Sequence, residues 1–435
     1  MELVNSFHCL LQVFALAMTE PTATTFRELT IGWVFAPRRT VLGIVRCSGT
    51  TRHHAAFHRV FAAAKWSIDR VGLAIFDLTL RLAPQETAFL AGDDTLLSRC
   101  GLKIFGVGMH RDPCLSSRSH TVTRWGHCWV VLSIVIESPR TPGRYFALPI
   151  LMRLYLNKKT AAKWNRKYRS KTDLMIEMLA CIEKHAGDKN LHFLGDSAFT
   201  APAVLARMPR RIDVTGRANI KARLYTQAPD YQGRGRPRVR GQRLPSPNEM
   251  LNAKGLRRLL LSLYQSRPYR VRLGETEGRF YRTPDRPVKV VAVEHLCGGR
   301  GREVFYSTRT DAEAEQILQW FSRRWSIEVT FHECKQHLGI DEPENRTREA
   351  VRRTAPTGFL LYSLITLWHE CVRPEPATPL RNYRGKSRAS FADMLAALRI
   401  DSLREFEKHH LSTVSIPPAV RKILQSLERL IQLAA

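Results

Sequence analysis

One stretch of the chain carries charge where charge is normally absent. From Asp311 to about Leu338 apolar residues recur at helical spacing, with Asp311 at the expected N-cap and acids in the first turn. Stepping about 100° per residue from Ile317, the residues Arg324, Glu328 and Lys335 all return to within about 20° of it, on the same stripe as Phe321 and Phe331. An amphipathic helix keeps charge off that face, because an unpaired desolvated charge costs several kcal/mol. Two arrangements satisfy the pattern. Either Arg324 and Glu328 form a buried pair at i, i+4 while Lys335 reaches to solvent, or Glu328 turns inward towards other acids that share a cation. Acids are available at the ends of two apolar runs. Thr87 to Leu90 leads into Gly92-Asp93-Asp94-Thr95, and Leu191 to Leu194 stops at Gly195-Asp196.

These residues need elements to position them. Trp129 to Ile136 and Tyr145 to Leu154 are β-branched or apolar runs that read as buried strands, like the runs before Asp93 and Asp196. Lys171 to His185 has helical periodicity through Leu174, Met178, Leu179 and Ile182. The order is three strands, a helix, and a strand with an acid at its end. That is the order of a ribonuclease H-like core. Upstream, Leu10, Val13, Phe14 and Ala17 form one helical stripe, and Phe57, Phe61, Ala64, Ile68, Val71 and Ile75 predict a second amphipathic helix, with Gly72 weakening its last turn. Downstream, Gly233 to Pro247 (GRGRPRVRGQRLPSP) is loop, residues 269 to 307 are further strands with Val288 to Val293 the clearest, and 346 to 373 and 389 to 433 are mainly amphipathic helices.

Composition narrows the partners. The 435 residues hold 68 Lys plus Arg against 39 Asp plus Glu, a net charge of +29, which attracts polyanions and above all nucleic acid. A basic protein without a polyanionic partner is the plainer alternative. The nine cysteines include no C-x-x-C pair, so neither a disulfide framework nor a zinc module is expected, and the loose group His110, Cys114, His120, His127 and Cys128 reads as structural. The apolar first twenty residues carry Glu2 and no early Lys or Arg, unlike a signal peptide. The run from Thr357 to Trp368 is too short to span a bilayer. A protein of the cytoplasm, without a membrane partner, is expected.

The spacing Phe321-x2-Arg324-x3-Glu328-x6-Lys335, within RRWSIEVTFHECKQHLGI, resembles the Tyr-Arg-Glu-Lys signature of bacterial insertion-sequence DDE transposases. Asp94-Thr95 after an apolar run resembles that family's first catalytic acid, and Gly195-Asp196-Ser197 its second. WGHCWVVL and GRGRPRVRGQRLP are similar to the same family, so the likeness spans roughly residues 90 to 345. The signature tyrosine is Phe321 here, and Ser307-Thr308-Arg309 stands where relatives often show S-T-D.

The resemblance implies an α/β fold: a ribonuclease H-like core with a β-rich insertion, flanked by N- and C-terminal helical regions. The expected divisions are 1–85 (helical, a candidate for binding DNA ends), 86–218 (first part of the core), 219–308 (basic loop and insertion), 309–345 (catalytic helix) and 346–435 (helical). It implies metal-dependent cleavage at transposon ends and strand transfer into target DNA, with Asp94, Asp196 and Glu328 as catalytic metal ligands. Phosphodiester cleavage needs a nucleophile made at neutral pH and stabilised charge on the attacking and leaving oxygens, and two Mg²⁺ ions held by carboxylates supply both. Mn²⁺ could substitute. Asp93 competes as the first acid. Neighbours on a strand point to opposite faces, so only one of the two enters the site, and the resemblance favours Asp94. Arg324 and Lys335 are expected on DNA phosphates, and Arg234 and Arg236 of an extended R-G-R-P in an A·T-rich minor groove, or else in a solvated loop. Trp125 and Trp129 are core strand residues or, in the sharper reading, platforms for a flipped base. Expected partners are double-stranded transposon-end and target DNA and a second copy of the chain in the DNA complex, at the bacterial nucleoid. The alternatives are a catalytically silent DNA-binding descendant and another ribonuclease H-like nuclease such as a repair resolvase. Retention of all three acids opposes the first, and the Arg-Glu-Lys helix the second.

Overall fold

Long apolar and β-branched runs become the strands of one mixed twelve-stranded sheet. The computed structural model describes residues 2–112, 115–117, 119–233, 235–261, 268–296, 301–374, 386–411, 422, 425–428 and 430–431. In chain order the strands are β1 (Thr87–Ser98), β2 (Gly108–Arg111), β3 (Thr123–Glu137), β4 (Tyr145–Tyr155), β5 (Asn190–Gly195), β6 (Ile212–Arg217), β7 (Leu224–Tyr225), β8 (Arg243–Leu244), β9 (Arg257–Leu261), β10 (Tyr269–Phe280), β11 (Thr283–His295) and β12 (Arg302–Ser307).

Strand β3 pairs antiparallel with β1 on one side and β4 on the other. Strands β5 and β6 then add parallel to β1. The spatial order β4-β3-β1-β5-β6, with only β3 reversed, is that of a ribonuclease H-like core. The Lys171–His185 helix makes the crossover from β4 to β5, opened by a capping box in which Ser170 and Asp173 satisfy each other's backbone N–H groups. Beyond β6 the sheet continues: β12 pairs antiparallel with β6, followed by β11 and β10, with β9 and the β7–β8 ribbon on the far side of β10.

Helices cover both faces. In β11, alternate residues feed two cores, which is why its Val288–Val293 stretch is almost continuously apolar. Val288, Val290 and Ala292 join the main core, while Val291 and Val293 pack with Leu194, Phe305 and the Ala314–Arg323 helix. Of the aromatic strand residues, Trp129 is fully buried and Trp125 packs partly buried against the main core.

Three helix expectations are corrected. The predicted helix through Phe57 and Ile75 is two, His54–Ala62 and Ile68–Leu82, because Ser67 caps a new start by accepting from Arg70 N. Gly72 does not weaken the second of these; a Cβ there would lie 1.8 Å from the Ile150 carbonyl oxygen, so glycine is what lets this helix seat on β4. The helix expected to run from Asp311 to Leu338 begins at Ala314, with Glu313 at the cap, and breaks into Ala314–Arg323 and Ser326–Leu338. Asp311 instead pairs with Arg309. The break is a tightened turn with i→i−3 bonds from Arg324 N to Phe321 O and from Trp325 N to Ser322 O. Finally, Arg348–Leu367 is not amphipathic: every residue from Thr354 to Leu367 is buried, as for a central core helix. Among the described residues no helix is long and apolar enough to cross a membrane.

Candidate active site

The parallel pairing of β1 with β5 decides which acid meets which. Phe89 is opposite His192, Ala91 opposite Leu194, and Gly92 opposite Gly195. The next step along both strands brings Asp93 beside Asp196. Side-chain alternation agrees. Phe89 stacks on His192 and approaches Trp320, so Phe89 and Asp93 face the Ala314–Arg323 and Ser326–Leu338 helices. Gly92 and Asp94 face the other way, towards Met175 and Lys171 of the crossover helix.

On the first face lies a chain of alternating charge. The Arg324 guanidinium donates to Asp93 Oδ2 at 3.0 Å and to Glu328 Oε1 at 2.6 Å. The broken helix makes this possible, since Arg324 stands in the turn between the two segments while Glu328 occupies the first turn of the second. Arg324 is 11% exposed and Asp93 19%, whereas Glu328 is 35% exposed and opens to solvent. Asp93 Oδ1 accepts from the Asp94 N–H. Asp196 caps the Ser197–Thr200 turn, its Oδ1 accepting from Ala198 N and Phe199 N, which orients the carboxyl at the end of β5.

The electrostatics follow. Burial pushes the Asp93 carboxyl up to about 7; Arg324 opposes the rise and the nearby Asp196 charge adds to it. Desolvation works against the charge of Arg324, but Asp93, Glu328 and Asp196 together hold it above the ordinary arginine value.

Asp94, the favoured first acid, does not meet Glu328, whereas Asp93 does so through Arg324. The Asp94 Oδ2 accepts from Lys171 Nζ at 2.7 Å and from the Cys128 thiol at 3.4 Å, on the opposite face from Glu328. Lys171 and the pair it forms were missed by sequence reasoning. A signal existed: Gly92-Asp93 and Gly195-Asp196 are the same dipeptide on two strands. Lys335 lies half-buried two turns beyond Glu328 on the same helix. Arg236 is exposed and far from these acids, in the loop between β7 and β8, and Arg234 lies outside the described residues. The R-G-R-P segment thus lies partly outside the described residues. Gly235 has φ 72° and its carbonyl accepts from the Tyr231 hydroxyl, which makes a turn there.

Residues 18–276 match the family model described as DDE superfamily endonuclease. The chain belongs to that family. No curated protein matches it. The matched segment of this DDE superfamily endonuclease contains Asp93, Asp94 and Asp196, while Glu328 comes later in the chain and reaches them through the helix pair. Nucleases of this kind act on DNA with divalent metal. The donor set suits a hard cation in kind, being carboxylate oxygens from two adjacent strands and one helix. Among the described residues no three such groups stand close enough to hold one ion, and the Arg324 side chain spans the interval from Asp93 to Glu328.

Proposed function

We propose that this endonuclease is a transposase that cleaves DNA at the ends of a mobile element and joins the freed 3′ hydroxyl to target DNA, with Asp93, Asp196 and Glu328 as its metal-holding acids. The observation that carries the reading is the β1–β5 register, which aligns two Gly-Asp steps beneath a helix bearing the third acid. Bound divalent metal, Mg²⁺ as two ions with Mn²⁺ able to replace it, supplies a water nucleophile at neutral pH and neutralises charge on the phosphate oxygens.

The chain's own residues do the rest. Asp93 and Asp196 are fixed on rigid strands and differ in setting: Asp93 is deep and proton-retentive, Asp196 half-buried and tethered by two backbone N–H groups. Glu328 stands on the solvent side, in the first turn of its helix. Arg324 bridges Asp93 and Glu328, and with those acids engaged by bound metal it would offer a planar pair of donors to a DNA phosphate. Lys335 adds a second cation on the same helix.

The test is cleavage of transposon-end DNA by purified protein, with and without Mg²⁺. Asp93→Asn, Asp196→Asn and Glu328→Gln should each abolish cutting while end binding survives, and Asp94→Asn should cut. Active Asp93→Asn with inactive Asp94→Asn would return the role to Asp94. Wild-type protein that binds end DNA but cuts it with neither Mg²⁺ nor Mn²⁺ would favour a silent DNA-binding protein.

A further inference from the structure

The sheet ends, far from the acids, in a surface of a different character. Strands β7 and β8 form a two-residue ribbon, Leu224 opposite Leu244 and Tyr225 opposite Arg243, that is hydrogen-bonded to the end of β10. Between residues 219 and 245 the sequence has seven cations and one acid. The β10–β11 turn beside it adds Arg279 and Arg282.

Many arginines on this protein's surface are answered by a carboxylate: Arg257 by Glu315, Arg272 by Glu294, Arg210 by Asp285. Here they are not. Among the described residues none of Arg223, Arg236, Arg238, Arg240, Arg279 and Arg282 pairs with a carboxylate. Like charges gathered without counter-charge repel one another, and the arrangement is costly unless a polyanion completes it.

Aromatic rings hold part of the group in place. The Arg240 guanidinium carbon lies 3.6 Å from the Tyr281 ring centroid and 5.9 Å from that of Tyr225, and its Nε donates to the Tyr281 carbonyl at 3.1 Å. Stacking fixes the guanidinium plane and leaves the Nη donors for a ligand. Arg279 is steadied by Gln227 at 3.0 Å. Donors held in advance lose less freedom when they bind.

We propose that this edge is a second DNA-contact surface, which grips the phosphate backbone of duplex DNA beyond the cut. The proposal rests on the reading of the chain as a DNA-cutting enzyme, and it concerns residues outside the acids. Strands β6, β12, β11 and β10 separate β7 from β5. At about 4.8 Å per strand the platform stands roughly 24 Å across the sheet from Asp196, the rise of about seven base pairs of duplex at 3.4 Å each. Phosphate contact implies no base preference.

The experiment measures binding of a 30-base-pair duplex in EDTA, so that cleavage plays no part, by fluorescence anisotropy over a salt series. The combined variant Arg236→Ala, Arg238→Ala, Arg240→Ala should bind A·T-rich and G·C-rich duplexes equally weakly, with a log–log salt slope shallower by about 2.7 for three lost contacts. Tyr281→Ala should weaken binding as Arg240→Ala does, while Tyr281→Phe, which keeps the ring, should bind like wild type. Footprinting should show protection lost roughly seven base pairs from the cut. An unchanged slope in a triple variant of unchanged melting temperature overturns the proposal. So does a larger loss for single-stranded than for duplex DNA, which would assign the tyrosines to base stacking. Failure of the transposase reading appears separately, as wild-type protein that binds duplex through this edge and never cuts it.

Discussion

Replacing Asp93 by asparagine should make the protein more stable at alkaline pH while destroying its activity. The folded carboxyl holds its proton up to about pH 7, against an ordinary value of 3.8, chiefly because it is buried. The folded state thus binds a proton that the unfolded chain has released, and stability falls as pH rises between those two values. The full penalty is about 4 kcal/mol above pH 7, and the part that develops between pH 5 and pH 8 is about 2.7 kcal/mol. The amide introduced by Asp93→Asn does not titrate, so the stability difference between variant and wild type should grow by that second amount over the same interval. The attraction of Arg324 for the ionised carboxylate is already contained in the value of about 7, since it opposes the rise. Urea denaturation in EDTA at pH 5 and pH 8 measures the difference. Asp94→Asn is the control, expected to cost about 0–1 kcal/mol through its partly exposed pair with Lys171. A pH-independent difference for Asp93→Asn would refute burial as the source of the raised pKa. A growing difference for Asp94→Asn would put the buried acid on the other face of the sheet.

Removal of Arg324 should destabilise the fold by about 2–4 kcal/mol, below the full cost of orphaning a buried pair because Glu328 opens to solvent; thermal unfolding of Arg324→Ala checks it, and an unchanged melting temperature would show the bridge to be idle. Lys335→Ala should leave melting nearly intact and weaken end-DNA complexes in a gel shift, and normal DNA handling by this variant would remove Lys335 from the interface. DNA binding by the wild type should weaken steeply with salt, given a net charge of +29, and a slope near zero would assign that charge elsewhere. Gly72→Ala should cost about 2 kcal/mol or more, because the new methyl meets the rigid backbone of Ile150; urea denaturation of a variant as stable as wild type would disprove the close seating of helix on strand.

The core was readable because its strands are long, apolar runs and its crossover helix is periodic and well capped: the expected bounds of Lys171 to His185 are the observed ones. The placement of Glu328 with Arg324 was readable for the same reason, as charges on an apolar stripe announce themselves. What the sequence left open was parity. Asp93 and Asp94 both sit within β1 instead of at its end, and nothing local says which face either takes. That is set by pairing with β5, a contact across a hundred residues. Broken helices were missed likewise. The stripe through Phe57 and Ile75 continues across Ala63–Ser67, and that through Ile317 and Leu338 across Arg324 and Trp325, because periodicity survives a tight turn. The all-round burial of Thr354–Leu367 was hidden by its threonines and serine, most of whose hydroxyls bond back to carbonyls inside the helix, as Thr354 does to Ala350.

The pairing of β12 with β6 has an evolutionary consequence. The chain departs from the core at Arg217 and returns opposite it at Phe305, so the departure and return points of that long excursion are neighbours. Loops between its strands can be lengthened, shortened or exchanged without shifting the helix that carries Glu328, so long as Val291 and Val293 keep their packing on Ala314–Arg323. Selection on which DNA is gripped, and where, can act on one stretch of gene while selection on the chemistry acts on another. The excursion is a port into which new specificities can be spliced, and its natural splice points are Arg217 and Phe305.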